Sequence, residues 1–127
     1  MGRIILAEDE EISGAITSGT LMNAGHAVGW IKDGSQVLGT LLRRPPDLVI
    51  LDCNMPGQGG VMVLREMRRR EELCHVPVLM LTGRTSQSDE RIARFAGATE
   101  YLTKPVDLVE LVHTAEDLMN GKSRRLS

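Results

Sequence analysis

Aromatic side chains are nearly missing from this chain: Trp30, Phe95 and Tyr101 are the whole stock among 127 residues. A surface that stacks bases along a single strand needs more of them, so that function class is set aside. Cysteine is scarce as well. Cys53 and Cys74 form no Cys-x-x-Cys pair, and one possible bridge makes no disulfide framework. Neither charge dominates, since 15 basic residues face 17 acidic ones for a net charge of −2. A main task of gripping nucleic acid or an anionic membrane is thereby disfavoured. No apolar run approaches the ~20 residues of a membrane span. The opening Ile4-Ile5-Leu6-Ala7 meets Glu8 and Asp9 too soon for a signal peptide. Position six is Leu6 rather than the Ser or Thr of a myristoylation site. These absences lead us to expect a cytoplasmic protein without a membrane association.

What is present is an ordinary globular composition, 42% apolar and 25% charged, at a length that suits one domain. Short apolar runs recur at Ile4–Ala7, Ala27–Ile31, Leu48–Leu51, Val76–Leu81 and Ala98–Leu102. Three are almost unbroken, as strands covered on both faces of a parallel sheet would be. Helical stretches lie between them, at Glu11–Asn23, Asp33–Arg43, Gly59–Leu73 and Ser88–Ala96. A last one places Leu108, Leu111, Val112, Ala115, Leu118 and Met119 on one stripe, with Glu110, Glu116 and Asp117 facing away. Asp107 and Glu110 are spaced as a capping box, and Asn120-Gly121 supplies the stop. Five strand–helix repeats predict an α/β domain with a parallel sheet and right-handed crossovers.

Sites in such sheets form beyond the carboxyl ends of the strands. After the first run come Glu8 and Asp9, after the third Asp52, after the fourth Thr82 and Gly83, and after the fifth Thr103, Lys104 and Pro105. Three crowded carboxylates would repel one another unless a cation neutralised them. An all-oxygen ligand set without His or Cys selects a hard ion, Mg²⁺ or Mn²⁺. An ammonium and a hydroxyl beside that ion make a site suited to phosphoryl transfer onto a carboxylate.

Glu8-Asp9-Glu10, Asp52-x-x-Met55-Pro56-Gly57 with Gly60, Thr82-Gly83 and Tyr101-Leu102-x-Lys104-Pro105 resemble the motif set of bacterial two-component receiver domains, the CheY-like response regulators. The resemblance covers about residues 3–120. It implies a flavodoxin-like (βα)5 three-layer sandwich with a five-stranded parallel sheet in the order 2-1-3-4-5. Residues 1–121 would form the receiver and 122–127 a short basic tail or the start of a linker. Met1 directly before the first strand leads us to expect a native start.

By that resemblance Asp52 is the phosphoacceptor, charged by a histidine kinase or histidine phosphotransfer protein. Asp9 and Asp52 would ligate Mg²⁺ directly, Glu8 through a water, and Asn54 by its backbone carbonyl. Lys104 would pair with phosphoryl oxygens across a cis bond to Pro105. Thr82 would swing toward the phosphoryl group while Tyr101 changes rotamer, altering a face made by the fourth helix, fifth strand and fifth helix. Asn54 and Arg84 would tune the acyl-phosphate lifetime. The implied protein catalyses only its own phosphorylation and dephosphorylation, and acts on a downstream partner or output domain without binding nucleic acid itself. Basic residues on the fifth helix support a dimer in some relatives; here that face offers Glu110, His113, Glu116 and Asp117, so a monomer or weak phosphorylation-dependent dimer is expected.

Other features read more plainly. Arg68-Arg69-Arg70 with Arg65 is taken as one solvated helix face whose charge suits a C-terminus. Cys53 is taken as a small buried filler, Cys74 as a helix-end residue, and the seven methionines as gap fillers. His26, His75 and His113 lack metal-ligand spacing. The small residues of the first helix, around Ala15 and Ser18, are read either as a poor helix held by packing or as a docking surface for the phosphodonor. Against a hydrolase of external phosphate esters stands Asn54, where such enzymes want an acid two residues after the nucleophile. A flavin or nucleotide binder would want a glycine-rich loop after the first strand.

Overall fold

The computed structural model describes residues 2–53, 55, 59–83 and 87–122, with the backbone alone at 87–90. Its strands are β1 (Arg3–Ala7), β2 (Ala27–Ile31), β3 (Leu48–Asp52), β4 (Val78–Thr82) and β5 (Glu100–Thr103). Its helices are α1 (Glu11–Asn23), α2 (Val37–Arg43), α3 (Gly60–Arg69), α4 (Gln87–Ala96) and α5 (Leu108–Met119). The sheet is parallel throughout, in the order β2-β1-β3-β4-β5. The fold is the expected flavodoxin-like (βα)5 sandwich.

The period-two geometry of a strand sorts the core into two layers. Ile5, Ala7, Val49, Leu51, Val78 and Met80 pack with Val37, Leu41, Val63, Leu64, Met67, Ala93 and Ala96 of α2, α3 and α4. Their alternates Ile4, Leu6, Leu48, Ile50, Leu79 and Leu81 pack with Leu21 of α1 and Leu111, Ala115 and Leu118 of α5. Burial on both faces explains why β1, β3 and β4 read as unbroken apolar runs. Each fully buried Leu or Ile contributes about 1.5–3 kcal/mol over its exposed state.

Helix ends follow local chemistry. The Glu10 side chain accepts from the Ile12 and Ser13 amides at the start of α1. That bonding to Ser13 first, and to Ile12, holds its carboxyl below the usual range. Asp107 caps α5 in the same way, accepting from Val109 and Glu110. At the far end Gly121, at φ 78°, lets its amide reach Leu118 and that of Lys122 reach Asp117, a Schellman stop.

Several expectations need correction. The second helical stretch begins with a single 3₁₀ turn, Gly34–Gln36, capped by Asp33, and is α-helical only from Val37. The third stops at Arg69, and turns carry the chain through Leu73 to Val76. β4 begins at Val78, after Pro77, which has no amide hydrogen for the ladder. Ile12 and Ile16 face solvent, 68% and 49% exposed, because α1 packs through Gly14, Thr17, Ser18 and Leu21. Ser18 is thus buried rather than on a docking surface. Leu108 is exposed at the first turn of α5.

Several further residues do other work than expected. Arg68 is no solvated side chain. Its guanidinium donates to the carbonyls of Gly97 (3.0 Å), Cys74 (3.2 Å) and Val76 (2.8 Å), tying α3 to the approaches of β4 and β5. Glu116 does not face away but accepts from His26 Nε2 at 2.9 Å, while His26 Nδ1 accepts from the Gly2 amide at 3.0 Å. Cys53 is only half-buried, Cys74 is exposed in a turn, and Met22 and Met62 lie on the surface instead of filling gaps.

Candidate functional site

Register brings the reactive residues to one sheet edge. Ala7 lies opposite Leu51 and Asp52 opposite Leu81, so Glu8 follows β1 at the level where β3 ends in Asp52. Thr82 ends β4 opposite Thr103, one residue before Lys104, and the Lys104 amide donates to the Thr82 carbonyl at 2.6 Å. Four strand ends therefore converge at the carboxyl side of the sheet, where an open α/β fold leaves its crevice.

Carboxylate oxygens of Glu8, Asp9 and Asp52 all lie within 4.8 Å of one another. Glu8 and Asp52 are buried, whereas Asp9 is exposed at the mouth. Lys104 Nζ bridges the two buried acids, 2.9 Å from Glu8 Oε1 and 3.2 Å from Asp52 Oδ2. The other oxygen of Glu8 accepts from the Glu10 amide at 3.2 Å. Desolvation, then the hydrogen bond with Asp52, pushes the Glu8 carboxyl above its usual range. Burial alone would lower the Lys104 ammonium, but its bond to Glu8 and the charges of Asp52 and Glu8 outweigh it and raise it. An ammonium held this way stays charged at neutral pH.

One ammonium does not balance three clustered carboxylates. The donor set, oxygen only and open through Asp9, fits a hard divalent ion such as Mg²⁺. Thr82 adds a second unmet requirement: its hydroxyl oxygen is fully buried and has no hydrogen-bond partner among the described residues. Such a group ordinarily costs about 1–3 kcal/mol, so it marks a place where an acceptor is due.

The backbone behind Asp52 is shaped by Gly60, the first residue of α3. A Cβ there would overlap the Asp52 carbonyl oxygen, so α3 can approach this closely only through glycine. Tyr101 is buried, 5% exposed, in the layer shared by α3 and α4, with the Arg94 guanidinium 5.1 Å from its ring centre. The Lys104–Pro105 peptide is cis. Asn54, Pro56, Gly57 and Arg84 lie outside the described residues, as do Ser123, Arg124 and Arg125 of the tail.

Sequence reasoning missed one contributor. Trp30, on β2, donates its indole N–H to the Glu8 carbonyl at 2.7 Å. Its position in an apolar run gave no hint of that bond. Gly14, in the middle of α1, was the available signal, because a helix interior keeps glycine only at some cost.

Comparison with known proteins agrees with this geometry. Residues 4–116 match the family model described as the response regulator receiver domain. The response regulator protein PmrA of Pseudomonas aeruginosa is 38% identical over 109 residues, covering 86% of this chain and 48% of that protein. The chain spans about half the length of the curated relatives it matches. Among solved structures, the signal receiver domain of a Syntrophus aciditrophicus signal transduction histidine kinase superposes with a TM-score of 0.89 at 27% identity. It is covered over 96% of its length and covers all of this chain. The receiver domain of a Pseudomonas aeruginosa sensor histidine kinase, with a magnesium ion coordinated in its active-site cleft, gives 0.88 at 28% identity, covering 94% of this chain and 98% of that one. No described helix is long and apolar enough to cross a membrane.

Proposed function

This chain belongs to the response regulator receiver domain family, whose members are phosphoacceptor switches of two-component signalling, and from that premise we propose that Asp52 is the residue phosphorylated. The observation that carries the reading is the buried pair Glu8–Asp52, bridged by Lys104 beside a Thr82 hydroxyl that has no partner among the described residues.

An oxygen of Asp52 attacks the phosphorus of a phosphohistidine, the P–N bond breaks, and the imidazole leaves on the donor. Asp9 and Asp52, with Glu8 through a water and the Asn54 carbonyl, would hold Mg²⁺. When bound, that ion neutralises the carboxylates and the phosphoryl oxygens. Lys104 shifts from Glu8 toward a phosphoryl oxygen, and Thr82 donates its hydroxyl to another. Movement of Thr82 releases room beside β4, into which Tyr101 repacks, so α4, β5 and α5 present a changed face. Hydrolysis of the acyl phosphate resets the state, at a rate tuned by Asn54 and Arg84.

We assign residues 1–121 to the receiver and 122–127 to a short basic tail or the start of a linker. The phosphodonor is a histidine kinase or histidine phosphotransfer protein. The output is a partner or a further domain, consistent with a chain that spans half of its curated relatives. The chain acts in the cytoplasm, without nucleic-acid contact of its own, as a monomer or a weak phosphorylation-dependent dimer.

Beryllium fluoride with Mg²⁺ tests the assignment, read by fluorine and proton NMR. A bound trifluoride signal is expected that needs both Mg²⁺ and Asp52 and that moves the Thr82 methyl and Tyr101 ring resonances. A bound signal that survives in Asp52→Asn would overturn it.

A further inference from the structure

Both backbone polar groups of Glu8 are tethered to β2. Its amide donates to the Ile31 carbonyl at 3.0 Å, and its carbonyl accepts from Trp30 Nε1 at 2.7 Å. The peptide that follows this carbonyl is the one that carries Asp9. A fixed Glu8–Asp9 peptide plane fixes where the Asp9 Cα sits, and the allowed range of φ then narrows the directions in which its side chain leaves the chain. The indole is itself held in place from the α1 side and from solvent. Gly14 faces its nitrogen-bearing edge so closely that a Cβ would overlap the ring. Lys32 covers it with its ammonium 4.9 Å from the ring centre while pairing with Glu11 at 2.7 Å.

β2 contributes no carboxylate to the cluster, so packing alone does not call for a donor aimed at the end of β1. A phenylalanine would fill much of the same space without the N–H. The strand is an edge strand, and its Trp30 ring is a partly buried group packed against the layer of α1 and α5 rather than a fully buried core residue.

We propose that Trp30 is a positioning residue for the cation site: its indole N–H pins the Glu8 carbonyl and so orients Asp9 toward Asp52, with Gly14 kept in α1 to seat the ring. This rests on the reading that Glu8, Asp9 and Asp52 hold Mg²⁺. It assigns to β2 and α1 a part in setting metal affinity. Groups that orient metal ligands without touching the ion typically shift affinity by about 10–100-fold when removed.

The test is calorimetric titration of the full chain with MgCl₂ after EDTA treatment, alongside melting in EDTA. Trp30→Phe keeps an aromatic ring but loses the N–H, and its Mg²⁺ Kd should rise on the order of tenfold. Replacing Trp30 by its benzothiophene analogue removes only the N–H and serves where Trp30→Phe melts poorly; the same rise is expected. In the wild type, titrated Mg²⁺ should change the emission of this sole tryptophan with the calorimetric Kd. A variant that melts lower in EDTA yet binds Mg²⁺ with the wild-type Kd would overturn the proposal and leave Trp30 a packing residue. A wild-type chain that shows no Mg²⁺ binding would overturn the cation-site reading itself, and this inference with it.

Discussion

Lys104 and Glu8 meet at 2.9 Å, ammonium to buried carboxylate, across ninety-six residues of sequence. The contact explains how the chain tolerates a crowded acidic edge before any cation arrives. Lys104 is the counter-ion that the fold itself supplies, and it also lies 3.2 Å from Asp52. A phosphoryl group on Asp52 would compete with Glu8 for that ammonium, so the charge balance of the site changes partner rather than sign.

Glu8 gives the first prediction. Burial and the Asp52 neighbour raise its folded-state pKa above the ordinary 4.5. The folded chain therefore holds this proton more tightly than the unfolded chain, and stability falls as pH rises from 4.5 through the raised value. Glu8→Gln, which stays neutral, should melt higher than the wild type in EDTA at pH 7. The gap should close below pH 4.5, where both chains carry a neutral group. Melting curves from pH 4 to pH 8 check this, and a lower melting point for the variant at pH 7 would count against it.

Thr82 gives the second. Its buried hydroxyl has no partner among the described residues, so Thr82→Val should leave the unmodified protein as stable as the wild type or up to ~1 kcal/mol more stable. The same substitution should weaken the beryllofluoride adduct severalfold. Urea unfolding and fluoride titration measure the two effects separately. A loss of stability without a loss of adduct would assign Thr82 a structural role only.

Glycine at the start of α3 gives a paired test. A Cβ at Gly60 overlaps the Asp52 carbonyl, whereas one at Gly59 makes an ordinary 3.7 Å contact with the Cys53 carbonyl. Gly60→Ala should cost about 1–3 kcal/mol and slow labelling by acetyl phosphate at least tenfold. Gly59→Ala should do neither. Equal behaviour of the two variants would remove the steric argument.

Arg68 separates stability from chemistry. Its donor fork meets backbone carbonyls, those of Gly97, Cys74 and Val76 among them, far from the acidic edge. Arg68→Ala should cost about 2–3 kcal/mol, with Arg68→Lys recovering only part, since an ammonium cannot reproduce the planar fork. Labelling by acetyl phosphate well below the melting temperature should stay within twofold of the wild type.

The two-face burial of β1, β3 and β4 made those strands legible, because a parallel sheet turns them into continuous apolar runs. The candidate site was legible for the same reason: a strand end is easy to find in sequence, and Asp52 and Thr82 are the last residues of β3 and β4 while Glu8 and Lys104 come one residue after β1 and β5. What escaped were contacts made at right angles to that pattern. Ile12 and Ile16 follow helical spacing yet face solvent, because the close approach of Gly14 to Trp30 fixes which side of α1 turns inward. Arg68 looked like part of a basic surface, and only the fold brings the carbonyls of Cys74, Val76 and Gly97 around it. His26 and Glu116, ninety residues apart, share no local signal at all.

The central claim, that Asp52 takes the phosphoryl group, is tested most directly by intact-mass spectrometry after incubation with acetyl phosphate. With Mg²⁺ the wild type should gain a single phosphoryl group that hydroxylamine removes, and the gain should vanish in EDTA and in Asp52→Asn. Persistence of the adduct in Asp52→Asn, or steady hydrolysis of external phosphate esters with no adduct on the wild type, would contradict it.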